Sequence, residues 1–397
     1  MRVDLLTREY PPHIYGGAGV HVAELARVLR SHIDVRVRCF DGPRTDQPGV
    51  TGYVDPPELA QANPALRTLG TDLAIAADTA GADLLHSHTW YANLAGHLGS
   101  LLNDVPHIVS AHSLEPLRPW KAEQLGGGYA ISSWAEKTAY EGAARVIAVS
   151  GGMREDILRS YPGLDPSKVV VVHNGIDLDG WSRPDESVID QVAASFGVDR
   201  TRPTVIFVGR ITRQKGLAYL LQAARQLPAD VQLIMCAGAP DTPEIAAEVS
   251  SAFQQLQTER SGVIWIENML PRDQVVALLA ASTVFVCPSV YEPLGIVNLE
   301  AMAAGVAVVG SATGGIPEVI EDGATGLLVP IDQVADGTGT PVEPSTFVSD
   351  LADALTRLTA DPALAAQMGA AGRVRAEQHF SWDSIAERTL QVYRSVL

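Results

Sequence analysis

Short β-branched runs and longer amphipathic stretches alternate along nearly the whole chain, and the alternation runs through twice. The first series of strand-like runs is RVDLL, DVRVRCF, ADLLHSH, PHIVSAH, RVIAVS and KVVVVHNG. The second is TVIFVGR, VQLIMCAG, GVIWIEN, TVFVCPS, GVAVVGS and TGLLVP. Between them lie stretches of helical period such as GVHVAELARVLR and SSWAEKTAYEGA. Strands that are apolar almost throughout, joined by helical crossovers, imply parallel sheets covered on both faces. The seam is residues 173–203, a polar, proline-bearing stretch between the two series. A chain of 397 residues also exceeds what one core usually holds. We therefore expect an α/β protein with one doubly wound domain over residues 1–178 and another over 179–380. Ligand is expected in a cleft facing the carboxyl edges of the strands. The closing stretch, 381–397, reads as an amphipathic helix. Trp382, Ile385, Ala386, Tyr393 and Val396 fall on one side, opposite Asp383, Glu387, Arg388, Gln391, Arg394 and Ser395.

Charge removes several function classes. The formal net charge is −17, and both halves about residue 178 are acidic, so neither offers the basic surplus that nucleic acid or an anionic membrane surface requires. Cys39, Cys236 and Cys287 sit in separate strand-like runs with no CxxC pair, which suits buried free thiols in a reducing cytoplasm. Asp4 and Glu9 interrupt what would have to be an apolar signal core, and no uncharged apolar run reaches the ~18 residues of a membrane span. A cytoplasmic protein is expected.

Four motifs carry chemistry. In TREYPPHIYGGAGVHVAEL, Gly16, Gly17 and Gly19 lead from a strand into a helix, where backbone N–H groups attract phosphate. A dinucleotide fingerprint would need glycine where Val22 stands; a glycine-rich turn with no ligand is the plainer alternative. In FVGRITRQKG, Arg210 and Lys215 follow a strand and suit a diphosphate, although solvated loop cations would look the same. In YEPLGIVNLEAMAAG, Glu292 sits at the mouth of a helix expected from Gly295 to Gly305, and Glu300 lies about one and a half turns inside. Two carboxylates so placed cannot be helix-face neighbours, but they can line different parts of one elongated ligand. The fourth is His112, at a strand's carboxyl end in SAHSLEP. His86 and His88, two apart, share a face and could mimic half a metal site; with no third ligand in spacing, no metal is expected. Ser133 and Glu136 have the spacing of a capping box.

Taken together, Glu292-x7-Glu300, Arg210 with Lys215, the Gly16-Gly17 loop and SAHS around His112 resemble the retaining GT-B glycosyltransferases of family 4. Within that family, TREYPPHIYGGAGVHVAEL and SAHSLEPLRPWK are most similar to the actinobacterial-type glycogen synthases. The resemblance spans essentially the whole chain. It implies a GT-B fold, with two doubly wound Rossmann-like domains facing a deep cleft and a C-terminal helix crossing back to the first domain. It implies retaining transfer of glucose from ADP-glucose, or another nucleotide-glucose, to α-glucose 1-phosphate, with α-1,4-glucan elongation as a secondary activity. No cofactor or metal is implied; a homodimer is possible.

Residue by residue, the resemblance gives Glu292 a donor-sugar hydroxyl and Glu300 the nucleotide ribose. Arg210 and Lys215 would hold the diphosphate and stabilise the departing nucleoside diphosphate. Gly16 and Gly17, with backbone N–H groups around Leu294, Gly295 and Ile296, would complete the donor cradle, and His112 would contact the donor sugar near the reacting carbon. HSHTW departs from the HxHDW of better-known bacterial glycogen synthases, with Thr89 for the aspartate, which is compatible with a smaller acceptor. Arg8, Lys121 and Lys137 are cations of the first domain that could receive its phosphate. Three rival readings are a family 4 transferase acting on a lipid or inositol phosphate, a non-catalytic nucleotide-sugar sensor on the same fold, and a nucleotide-sugar epimerase.

Overall fold

The computed structural model describes residues 1–397 except Thr45, Pro119, Trp120 and Gly337, and the side chains of Glu123 and Gln124; the PW of SAHSLEPLRPWK thus lies outside the described residues. The chain forms two compact units, one of Met1–Gly175 with Trp382–Leu397, the other of Ile176–Ser381.

The first unit holds seven strands: β1 (Arg2–Thr7), β2 (Asp34–Cys39), β3 (Val50–Gly52), β4 (Leu84–His88), β5 (His107–Ala111), β6 (Arg145–Ala148) and β7 (Val169–Val171). They lie in the order β3-β2-β1-β4-β5-β6-β7, and every pairing is parallel. The central strands β4 and β5 are buried at every position, as a sheet covered on both faces requires. The sequence pattern misses β3, three residues long at the sheet's edge, where one buried valine gives no periodicity to read.

Helix Trp382–Arg394 belongs to this unit. Its buried face, Trp382, Ile385, Ala386, Thr389, Leu390 and Tyr393, joins the core formed by Val3, Val22, Leu25 and Leu29, and Val396 packs against that core as well. Burying each large apolar side chain there contributes roughly 1.5–3 kcal/mol. The polar face is exposed at Asp383, Glu387, Arg388, Gln391, Arg394 and Ser395, as the pattern requires.

The second unit holds β8 (Thr204–Arg210), β9 (Gln232–Gly238), β10 (Val263–Ile266), β11 (Val284–Cys287), β12 (Ala307–Ser311) and β13 (Gly326–Val329). Their order is β10-β9-β8-β11-β12-β13, again all parallel. Both sheets therefore reverse winding beside their first strand, between β1 and β4 and between β8 and β11. That is where a doubly wound sheet leaves room for a ligand at the strands' carboxyl ends. The polar seam is more than a linker. It contains helix Glu186–Ser195, which buries Ile189 and Ala193. Among the described residues, no helix is long and apolar enough to cross a membrane. The three cysteines are free and buried.

Candidate active site

In the second unit, β11 ends at Cys287 and the chain loops through Glu292 to helix Ile296–Ala303. Gly295, which opens that helix, has φ +95°, and a Cβ there would lie 2.4 Å from Asn298 Nδ2, so the loop needs glycine at this position. Leu294 is buried before it. The Glu292 side chain is held from two sides: Lys215 Nζ donates to Oε2 at 2.6 Å and Ser289 Oγ donates to the same oxygen at 3.0 Å. Its backbone is held as well. Gly315 N donates to the Glu292 carbonyl at 2.9 Å, and at Gly314 (φ +54°) a Cβ would come within 2.0 Å of that oxygen.

Lys215 comes from the turn after β8, and the two loops are stitched together by Val290 N donating to the Gln214 carbonyl at 2.9 Å. Burial works against the Lys215 ammonium, but the Glu292 carboxylate more than offsets it, leaving the lysine above its ordinary pKa. Arg210 closes β8 and pairs with buried Asp241 at 3.1 Å while staying substantially exposed. Glu300, half-buried on the helix, has its carboxyl pKa pushed up to about 8 by desolvation, against the opposing pull of Arg272 and Lys215. At neutral pH it is largely protonated, so it can both donate and accept. Glu292, Lys215, Ser289 and the start of helix Ile296–Ala303 thus form one polar assembly at the β8/β11 switch. Arg210 stands at the same strand end.

In the first unit, helix Gly17–Leu29 starts directly after Gly16. The Gly16 N–H is already engaged: Glu9 Oε2 accepts from it at 2.8 Å and from Tyr15 N at 2.9 Å. A carboxylate thus occupies part of the anion-binding position expected of the glycine loop. Arg8, next in the chain, lies over the Tyr91 ring at 4.6 Å, in cation–π range. Thr89 links β4 to helix Trp90–Asn103 with φ +63°, a region that a β-branched residue adopts only when its surroundings enforce it.

Around β4 and β5 the site is made of histidine. His86 uses both ring nitrogens, facing Tyr393 Oη at 2.7 Å and Ser110 Oγ at 2.8 Å. His88 Nδ1 faces His112 Nε2 at 3.0 Å. His21, from helix Gly17–Leu29, completes the group; one nitrogen from each of His21, His88 and His112 lies within 4.8 Å of the others. Burial pulls His112 down to about 4 and His86 to about 3, the latter aided by His112 and His107, and holds His21 and His88 well below their ordinary value. All four are uncharged at neutral pH. The pairing of His86 with His88 as half a site is corrected here: both His86 nitrogens are engaged elsewhere, and His88 lies instead with His21 and His112. His21 lies 67 residues before His88 in sequence, and only the fold brings the two together.

The capping box is corrected too. Ser133 and Glu136 are interior to helix Gly128–Gly142, and buried Glu136 accepts instead from Glu115 N at 2.9 Å and from the Tyr161 hydroxyl. Burial and neighbouring Glu115 push the Glu136 carboxyl up to about 8. Lys121 is buried close to this network's turn, in helix Lys121–Leu125. Lys137 stands apart, exposed and paired with Glu141 at 3.6 Å, the ordinary surface pairing of one helical turn.

The chain matches the family described as Glycosyl transferases group 1 over residues 188–375 and Glycosyltransferase Family 4 over residues 15–179. It is 56% identical over 398 residues to the alpha-maltose-1-phosphate synthase of Mycolicibacterium smegmatis, covering 100% of both chains. This chain belongs to the family 4 glycosyltransferases. The glycosyltransferase is also 54% identical over 396 residues to the alpha-maltose-1-phosphate synthase of Mycobacterium tuberculosis, again over 100% of both. Its fold is GT-B, made of two parallel-sheet Rossmann-like domains. It superposes on the catalytic domain of Arabidopsis thaliana starch synthase IV, bound to ADP and acarbose, with a TM-score of 0.78 at 18% identity, over 99% of each chain.

Four residues escape a motif reading of this glycosyltransferase: Glu9, Ser289, His21 and Asn298. Glu9 is one of several acidic residues near the N-terminus, and serine is common in loops. Asn298 is a visible oddity, a lone amide among Leu299, Ala301 and Met302; it is fully buried, and neither amide atom has a partner among the described residues.

Proposed function

We propose that the glycosyltransferase moves glucose with retention from ADP-glucose to α-glucose 1-phosphate, forming α-maltose 1-phosphate, with α-1,4-glucan elongation as a secondary activity. The observation that carries this reading is the full-length likeness, at 56% identity, to an alpha-maltose-1-phosphate synthase. Three buried, unpaired thiols favour action in the cytoplasm.

In this reading the ion pair of Lys215 and Glu292 opens when donor binds. Lys215 turns to the diphosphate, where with Arg210 it stabilises the charge that develops on the departing nucleoside diphosphate. Glu292, released from the lysine but still held by Ser289, accepts from a hydroxyl of the donor sugar. Backbone N–H groups of Leu294, Gly295 and Ile296 face the same phosphates, joined by those of Gly16 and Gly17 once Glu9 yields. Protonated Glu300 bonds the ribose, and neutral His112 accepts from the donor sugar near its reacting carbon. The acceptor attacks from the leaving-group side, so the chemistry is positioning plus leaving-group stabilisation. Arg8 and Lys121 receive the acceptor phosphate beside Thr89. Lys137, turned to solvent with Glu141, has the least support among the candidate cations.

The test is to incubate the enzyme with ADP-, UDP- or GDP-glucose, with and without glucose 1-phosphate, and to identify products by mass. A disaccharide phosphate formed fastest from ADP-glucose is expected. If glycogen is the better acceptor, the disaccharide phosphate assignment falls; if UDP- or GDP-glucose is the better donor, the nucleotide assignment falls.

A further inference from the structure

The donor chemistry uses one histidine of the first unit, yet three converge. His21 and His88 are fully buried, and among the described residues His21 Nδ1 has no hydrogen-bond partner, an arrangement that costs stability unless something completes it. His112 is only partly buried, which gives the group a way in from solvent. His86 belongs to the same cluster by ring contact, its centroid 4.2 Å from that of His88, but both its nitrogens are spent on Tyr393 and Ser110.

We propose that His21, His88 and His112 form a site for one divalent transition ion of the zinc class, and that occupation of this site blocks the enzyme. Three imidazoles with a fourth position open to water form a donor set that suits zinc, nickel, cobalt or copper and does not suit magnesium or calcium. Metal–nitrogen bonds of about 2.0–2.1 Å set ligand nitrogens roughly 3.3–3.6 Å apart. The facing nitrogens of His88 and His112 are already 3.0 Å apart, and the whole set lies within 4.8 Å, so side-chain rotation of about an ångström closes the site. The ring that now donates in the His88–His112 hydrogen bond moves its proton to its other nitrogen, and no net proton is lost. The ion binds regardless of what the enzyme transfers. Its blocking effect rests on the reading in which His112 contacts the donor sugar, because a liganded imidazole can no longer accept from a hydroxyl.

Two measurements on the full chain separate those halves. Co²⁺, a visible-absorbing stand-in for Zn²⁺, should bind at one equivalent with the intense d–d bands of a four-coordinate site, and Zn²⁺ should displace it. Losing an outer partner of a metal ligand costs roughly 10- to 100-fold in affinity, so His21→Gln, which loses a ligand outright, should weaken Co²⁺ at least that much. No stoichiometric uptake, or equal uptake by wild type and His21→Gln, overturns the site. Should His21→Gln fail to fold, anomalous scattering at the zinc edge from soaked wild-type crystals decides instead: a peak among the three rings supports the site, and its absence overturns it. Zn²⁺ should also inhibit glucosyl transfer with the midpoint of its binding, reversibly by EDTA. Binding without inhibition keeps the site but overturns the blocking role, and with it the part given to His112.

Discussion

The carboxyl ends of β4 and β11 hold the same place in two sheets wound alike, yet they are built from opposite chemistry. After β11 comes a charged assembly, Lys215 against Glu292 at 2.6 Å, placed where a helix begins. Along β4 and at the end of neighbouring β5 lie imidazoles that burial keeps uncharged. Topology fixes where a ligand can sit, and the side chains decide what is done to it. Charge at the β11 end can answer charge that develops during a reaction. Neutral donors and acceptors at the β4 end can orient hydroxyls without competing for the phosphates.

The contrast breaks most decisively at Lys215. Lys215→Ala should lower kcat at saturating donor by roughly 10²-fold or more, because the cation acts where charge develops. Arg210→Ala should follow in the same direction. Near-normal kcat in both variants would remove the second unit's cations from the chemistry and leave the proposed division of labour without its stronger half.

The acceptor side is the next test. Arg8→Ala or Lys121→Ala should raise KM for glucose 1-phosphate with little change for a glucan. Loss of one charged contact to phosphate costs about 1.5–3 kcal/mol, roughly 10- to 150-fold. An equal effect on both acceptors would show that these residues hold the fold and do not read the phosphate.

What the sequence discloses divides along the same line. The β8/β11 assembly is legible because its members are close in sequence: Glu292 and Glu300 lie on one loop and helix, and Arg210 and Lys215 in one strand and turn. The strands other than β3 are legible from their β-branched runs. The histidine cluster is not, since His21, His88 and His112 come from a helix and two strand ends, and no spacing rule links them. Glu136 shows the converse failure. Its spacing from Ser133 fits a cap, but the helix starts five residues earlier, at Gly128, so both lie in its interior.

Both units carry a carboxyl group raised to about 8, Glu300 in the second and Glu136 in the first. A raised carboxyl pKa means that the folded state keeps a proton the unfolded chain loses near its ordinary value of 4.5. Their contribution to stability is therefore greatest below that value and declines as pH rises toward about 8. The buried histidines act the other way, gaining stability as pH rises through their ordinary value of 6.5. The test is therefore differential: between pH 5 and pH 8 the urea midpoint of Glu136→Gln or Glu300→Gln should rise more, or fall less, than that of the wild type. ADP should alter the slope contributed by Glu300 and leave that of Glu136 unchanged. An ADP effect that survives in Glu300→Gln but vanishes in Glu136→Gln would place nucleotide binding in the wrong unit.

The smallest effect compares two serines that play matching parts. Ser289 Oγ steadies Glu292 at 3.0 Å, while Ser110 Oγ faces His86 Nε2 at 2.8 Å in the buried core. Glu292 is held by Lys215 before donor binds and meets a donor hydroxyl afterwards, so Ser289→Ala should cost only the net worth of one hydrogen bond. That is about 0.5–1.5 kcal/mol, a roughly 2- to 12-fold loss in kcat/KM for the donor with little change in Tm. His86 has no second partner at that nitrogen. Ser110→Ala therefore leaves a buried polar atom unsatisfied, and should lower stability by about 1–3 kcal/mol while kcat/KM for the donor stays nearly constant. The two readouts should separate cleanly: the serine beside a charged side chain that meets substrate moves the kinetics, and the serine beside a neutral, fully buried ring moves the melting curve. If Ser110→Ala instead slows transfer at unchanged Tm, His86 takes part in turnover through its ring contact with His88, and the neutral end does more than orient.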